Sequence, residues 1–338
     1  MSKKILLSDR IFIAGSTGMA GSAIYRKLLQ AGYGELSNGG QILTPSRKEL
    51  DLLNYEDVQN WLKKNRPTVV VLAAAKVGGI QANSSSPADF LLENIKIQTN
   101  VIESAWRLGV RRLLFLGSSC IYPKYAEQPI KEEALLSGEL EGTNESYAIS
   151  KISGIKLCES LRIQHNFDAI SLMPTNLYGP GDNYHQTNSH VLPALIRKFY
   201  EAYEKSLDSV TCWGSGTPLR EFLHVNDLGD ASVFALEKWD PDAYDAPKDS
   251  KGKPLNYLNI GTGKDISIKS LAEKIALEVG FSGDILWDPN KPDGTPRKML
   301  SVNRINKLGW EAKVSLSKGI QSTVKSYIEG VKNQTIRL

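Results

Sequence analysis

Tyr147 and Lys151 stand four residues apart in the strongly helical stretch "SYAISKISGIKLCES", and Ser118 ends the apolar run "RLLFLGSS" upstream. At that spacing the first two share a helix face. A hydroxyl, a phenol and an ammonium are what reduction of a carbonyl asks for. The hydroxyl holds the carbonyl oxygen, the phenol protonates the developing alkoxide, and the ammonium lowers the phenol's pKa. A lysine charge about 6 Å away, in an effective dielectric near 20, supplies roughly 2.8 kcal/mol, or about two pK units from tyrosine's ~10. The acid is then expected near working pH, where general acid catalysis is efficient. Tyr244 and Lys248 repeat the spacing, but Pro247 lies between them in a charged loop, so that copy forms no helical pair. Cys120 follows Ser118 by two. In an extended strand both would face one side while Ser119 faces the other, so the thiol either fills a gap as a small hydrophobe or meets the same substrate as Ser118.

A hydride donor is implied by "IFIAGSTGMAG", where Gly15, Gly18 and Gly21 follow an apolar strand and open a helix. Glycines there let the backbone turn and approach a pyrophosphate, whose charge sits at the helix N-terminus. The G-x-x-G-x-x-G spacing resembles the phosphate loop of the short-chain dehydrogenase/reductase superfamily. An acid closing the next strand would bind the ribose of NAD, and an arginine there would favour the 2′-phosphate of NADP. That strand ends "TPSRKELDL", with Arg47 in place and no acid before Glu49. The expected cofactor is NADP(H).

These groups need a frame. Strand-like and helix-like segments alternate through the first half: "IFIAG", a helix from Met19, "QILTPS", a helix from about Tyr55 capped by Asn54, "VVVLAAA", a helix from about Ala88, "RLLFLGSS", a helix from about Ser146, then "DAISLMPTNLYG". That alternation predicts an α/β fold with a doubly wound parallel (Rossmann) sheet. Residues 1–180 are expected to form the NADP-binding domain. Residues 181–338 are expected to form mainly a smaller α/β substrate-binding lobe, with some segments returning to the Rossmann sheet. In the second part a helix near 190 to 206, a helix capped by Asp227, an irregular loop at "DPDAYDAPKDSKGKP" and a helix over "SIKSLAEKIALEVG" are expected.

Composition agrees with a soluble enzyme. The 338 residues are 41% hydrophobic and 23% charged, and no apolar stretch nears the roughly 20 residues of a membrane span. The start, "MSKKILLSDR", is too short for a signal-peptide core and reads as an N-terminal extension. Cys120, Cys158 and Cys212 are odd in number and widely spaced, which suits a reducing cytoplasm and implies neither disulfide framework nor metal site. A net charge of +4 with scattered basic residues shows no nucleic-acid stripe.

Longer stretches carry a more specific resemblance: "AAAKVGGIQAN" (73 to 83), "LFLGSSCIYPK" (114 to 124), "MPTNLYGP" (173 to 180), "NSHVLPALIRKF" (188 to 199), "WGSGTPLREFLHV" (213 to 225) and "KPDGTPRK" (291 to 298). On these the chain resembles the GDP-L-fucose synthase family, NADPH-dependent 3,5-epimerase/4-reductases of GDP-4-keto-6-deoxy-D-mannose. The resemblance implies that Ser118, Tyr147 and Lys151 serve reduction, and that Cys120 and His190 exchange protons during epimerisation. It implies cofactor contacts from Gly15, Ser16, Thr17, Gly18, Met19, Ala20, Gly21, Arg47, Leu116, Gly117 and Lys151, with Asp51 and Leu52 at the adenine. Pro174, Asn176 and Leu177 would lie beside the nicotinamide, and His190 would also contact the cofactor. Lys198, Trp213, Arg220, Asp293 and Lys298 would line the nucleotide-sugar site, and the enzyme would be a cytoplasmic homodimer. For Trp213, core packing is the competing expectation. Two positions depart from the pattern: Thr17 stands where many relatives have an arginine for the 2′-phosphate, and Lys198 where they often have a second arginine near the substrate's phosphates.

Two other functions share parts of this pattern. A 4,6-dehydratase or 4-epimerase of the same superfamily would hold NAD tightly, but dehydratases usually carry an Asp-Glu pair where this chain has Cys120-Ile121. A non-catalytic dinucleotide sensor would commonly lose the tyrosine or the lysine, and both are present.

Overall fold

The computed structural model describes residues 4–291 and 293–337. Residues 1–3 of the expected extension, Pro292 of "KPDGTPRK" and Leu338 lie outside the described residues. In chain order the first half runs β1 (Arg10–Ala14), α1 (Met19–Gln30), β2 (Gln41–Leu43), α2 (Tyr55–Asn65), β3 (Val69–Leu72), α3 (Ile80–Ser85), α4 (Pro87–Arg107), β4 (Arg112–Leu116), α5 (Glu145–His165) and β5 (Asp168–Pro174). Continuous apolar runs such as "VVVL" and "RLLFL" are buried along their whole length, as strands covered on both faces must be. Asn54 caps α2 as expected, its Oδ1 accepting the Glu56 and Asp57 N–H groups at 3.0 and 3.3 Å.

The second half adds β6 (Asn176–Tyr178), α6 (Val191–Glu204), β7 (Ser209–Trp213), β8 (Leu219–His224), α7 (Val225–Lys238), β9 (Tyr257–Ile260), β10 (Asp265–Ser267), α8 (Ile268–Val279), β11 (Asp284–Asp288), β12 (Arg297–Lys298), α9 (Asn303–Leu308) and α10 (Leu316–Lys332). The central sheet has six parallel strands in the order β2-β1-β3-β4-β5-β9, so a strand beginning at Tyr257 closes one edge. Helices α1 and α7 pack together, as do α2, α4 and α5. The strand order reverses at β1, with β2 on one side and β3 on the other, which opens a crevice at the strands' carboxyl ends. A second apolar cluster gathers α6, α8, α10 and β7 around Ile196, Phe199, Leu271 and Ile275. Small sheets of β10-β8-β12, with β6 on β8, and of β11-β7 adjoin it.

Two local expectations change. Residues 119–121 form one 3-10 turn beyond β4, so Ser118 and Cys120 are not alternate residues of a strand. Ser118 instead caps that turn, its Oγ accepting the Cys120 N–H at 3.2 Å. The cap of α7 is His224, whose ring accepts the Asn226 N–H. Asp227 lies inside the first turn and accepts the Lys313 and Val314 N–H groups at 3.1 and 2.9 Å. It ties α7 to a distant segment, information that local spacing does not hold.

Candidate active site

The crevice deepens into a cleft of about 1100 Å³ between the carboxyl ends of the central strands and the segments of the second half. Its floor is the glycine loop. Gly15 has φ +85°, and a Cβ there would lie 2.7 Å from Ala74 N and Cα, so glycine is required twice over. A Cβ on Gly21 would fall 2.1 Å from Gly15 O, which is how α1 packs close against β1. Gly18 is the N-cap of α1 and offers no side chain to its first turn, leaving N–H groups directed at the cleft. A cradle that a methyl group would fill, at a helix N-terminus, fits a dinucleotide pyrophosphate.

Ser16, Thr17, Met19, Ala20, Arg47, Asp51 and Leu52 line the same region. Glu49 turns away, its carboxylate accepting the Ser46 N–H at 2.8 Å, a bond that holds it below the usual carboxylate range. Arg47 is therefore the charge that this strand end presents to the cleft. Asp51 Oδ1 accepts the Leu53 N–H at 3.0 Å, which fixes the turn carrying Leu52.

At the end of β4 stand Gly117, Ser118 and Cys120, with Tyr147 facing them from α5. The Tyr147 ring meets Phe90 edge-on at 6.4 Å. Lys151 and Leu116 sit behind this wall: the buried ammonium donates to Leu116 O at 2.8 Å, 5.9 Å from the Tyr147 ring centroid. Burial lowers Lys151 to about 8. The phenol departs from expectation. Burial pushes Tyr147 above its ordinary value, Cys120 adds to the rise, and only the Ser118 hydrogen bond opposes it. Desolvation is the largest cause, so the phenol stays a proton donor across the neutral range.

Cys120 is half-buried, with its Sγ 3.7 Å from Lys298 Nζ. His190, the N-cap residue of α6, stands in the same cleft, and desolvation followed by the Lys298 charge lowers its imidazole from the ordinary value. One ammonium thus touches the thiol and lowers the imidazole, the two groups that could exchange protons with a substrate. Pro174, Asn176 and Leu177 line the cleft nearby, the Asn176 amide anchored on Glu221 O at 2.7 Å.

The far end is cationic. Lys198 donates to Thr211 O at 2.9 Å and lies 5.7 Å from the Trp213 ring centroid, while Lys291 lies 5.3 Å from it. Trp213 is 53% exposed, so the core-packing expectation for it fails. Arg220 donates to Leu219 O and Asp293 O. The Asp293 carboxylate itself is spent on Ser215, accepting its N–H at 2.7 Å and its hydroxyl at 2.8 Å. It holds the 213–217 loop.

The site also has residues that sequence reasoning did not single out. Lys76 to Gln81 line the cleft, as do Glu141, Asn144 and Asn188. The first group and Asn188 fall in the stretches "AAAKVGGIQAN" and "NSHVLPALIRKF" that carry the resemblance, which implies no role for them; Glu141 and Asn144 carry no such signal. Tyr244 and Lys248 do touch, at 5.6 Å, but in the exposed loop far along the chain.

The sequence pattern of the "NAD dependent epimerase/dehydratase family" matches residues 11–246. The chain is 51% identical to "GDP-L-fucose synthase 1" of Arabidopsis thaliana over 97% of its length and 95% of that protein's. It is 50% identical to "GDP-L-fucose synthase" of Escherichia coli (strain K12), covering 95% and 97%. Among solved structures, a GDP-L-fucose synthetase from Naegleria fowleri bound to NADP superposes with a TM-score of 0.85 at 25% identity, covering 100% of this chain and 99% of that one.

Proposed function

The chain belongs to the NAD dependent epimerase/dehydratase family and, within it, to the GDP-L-fucose synthases; from that premise we propose how its residues convert GDP-4-keto-6-deoxy-D-mannose to GDP-L-fucose with NADP(H) as cofactor. The observation that carries the reading is one cleft holding two sets of groups, Ser118 with Tyr147 for a ketone oxygen and Cys120 with His190 for carbon-bound protons.

A ketone at carbon 4 acidifies the hydrogens on carbons 3 and 5. Cys120 and His190 exchange those protons, with the Lys298 ammonium 3.7 Å from the thiol sulfur. Ser118 holds the ketone oxygen, and Tyr147, kept protonated by burial, gives that oxygen its proton. Bound NADPH supplies the hydride for carbon 4. Lys151 holds Leu116 O and, through its charge, the dinucleotide's ribose side. Arg47 takes the 2′-phosphate, and Arg220, Lys198 and Lys298 face the diphosphate end of the substrate, with Trp213 beside its base. We place the enzyme in the cytoplasm as a homodimer. The three cysteines are free thiols, which suits a reducing compartment, and among the described residues no helix is long and apolar enough to cross a membrane.

The test separates the two half-reactions. Given GDP-4-keto-6-deoxy-D-mannose and NADPH, the enzyme should form GDP-L-fucose. In deuterated water without NADPH it should wash deuterium into carbons 3 and 5. Tyr147→Phe should keep that exchange and lose reduction, whereas Cys120→Ala should nearly stop it. A folded Cys120→Ala enzyme exchanging at the parental rate at both carbons would return the cysteine to a packing role.

A further inference from the structure

Between β3 and α4 the chain crosses the cleft as a strap. It begins beneath the phosphate loop, where the Ala73 N–H donates to Ala14 O at 3.0 Å. Buried Asn94 of α4 then fastens both backbone groups of Lys76, accepting its N–H at 2.8 Å and donating to its carbonyl at 3.0 Å. Buried Asn83 of α3 does the same for the following turn, donating to Gly78 O at 2.8 Å and Gly79 O at 3.0 Å. So held, the Gly79 N–H donates to Asn188 O at 2.9 Å, two residues before His190.

The approach leaves no room for a side chain. A Cβ on Gly79 would lie 2.5 Å from Ser189 O and 3.3 Å from Ser189 C. Gly79 has φ −70°, which any residue adopts, so the contact and not the dihedral requires glycine. Ser189 O cannot swing aside like the end of a flexible side chain, because the next residue opens α6, where the Ala194 N–H donates to His190 O at 3.1 Å. A group added at Gly79 must displace the backbone that carries His190.

We infer that Gly79, held by Asn83, is a positioning residue for epimerisation, setting where His190 stands relative to Cys120 and Lys298. The inference rests on the reading of His190 as a proton-exchanging residue. Ser118 and Tyr147 are carried by β4's end and α5, so a shift of the 188–190 backbone leaves the reducing wall in place. A misplacement on the order of 1 Å can cost about 10²-fold in a catalysed step. The fault should therefore appear in stereochemistry more than in total reduction.

The experiment compares parent and Gly79→Ala enzymes on GDP-4-keto-6-deoxy-D-mannose with NADPH, resolving GDP-L-fucose from reduced sugar nucleotides in which one or neither carbon has inverted. Gly79→Ala should still bind NADPH, because the glycine loop and Arg47 lie on other segments of the cleft. Its ratio of fully inverted to incompletely inverted product should fall tenfold or more. A merely structural role would reduce the amount of active enzyme and lower all products together, and an unchanged ratio would overturn the inference. Asn83→Ala frees the same turn without adding atoms, and serves if Gly79→Ala does not fold; its ratio should fall in the same direction, and an unchanged one counts equally against the proposal. A parent enzyme that formed no GDP-L-fucose would instead sink the functional reading on which the inference stands.

Discussion

At the scale of single residues, the environment decides what each titratable group can do. Lys151 is an ammonium whose pKa burial has lowered to about 8, so in the cofactor-free protein it is charged below that pH and neutral above it. Its attraction for the anionic dinucleotide should fade accordingly. Titrating NADPH affinity from about pH 6.5 to 9.5 should show binding weaken as pH rises through about 8, and Lys151→Met should bind weakly throughout with no inflection there. Arg47 allows a different measurement. With Glu49 folded back onto Ser46, Arg47 is the charge left lining the cleft there, and we propose that it reads the 2′-phosphate. Arg47→Ala should weaken NADPH by roughly 10- to 100-fold, the range for a hydrogen bond between charged groups, and leave NADH nearly unchanged in fluorescence titrations. Equal losses for both would remove Arg47 from cofactor choice.

At the scale of elements, local chemistry accounts for most boundaries. The Asn54 cap, acids Glu56 and Asp57 in the first turn and Lys63 and Lys64 in the last all favour α2 through its end groups and dipole. Asn54→Ala should cost about 1 kcal/mol, the usual worth of such a cap, seen as a lower urea midpoint with unchanged slope and unchanged turnover at 25 °C. The same local reading misassigned two details. It extended the strand through Cys120, where the chain leaves the sheet and Ser118 caps a turn, and it gave the α7 cap to Asp227 in place of His224. For α7 the reason is tertiary: the Asp227 carboxylate is taken up by the Lys313 and Val314 N–H groups, which leaves the cap to His224.

Across the whole molecule, segments far apart in sequence are locked by buried polar ties. Glu221 of β8 is fully buried, and its carboxylate accepts the Thr262 and Gly263 N–H groups at 2.6 and 2.7 Å and the Leu300 N–H at 2.8 Å. It joins the turn after β9 to the stretch following Lys298. Glu221→Ala would strand three donors, the Leu300 N–H buried and the Thr262 and Gly263 N–H groups half-buried, and should destabilise the fold by about 2 to 4 kcal/mol, with Glu221→Gln losing less; equilibrium urea unfolding of both variants checks the order.

What the sequence determined by itself follows from short-range rules. Apolar runs and their alternation with helical periodicity specify the parallel sheet, glycines at 15, 18 and 21 specify the phosphate loop, and Tyr147 and Lys151 share a face because four residues make about one helical turn. Only the tertiary structure set Lys298 against Cys120, drew Gly79 against Ser189, and closed the sheet's edge with β9. It also reversed the expected effect on Tyr147. The lysine's field depends on one short distance along a helix, whereas desolvation sums over every atom that excludes water from the phenol, and those atoms arrive from segments that no local spacing brings together.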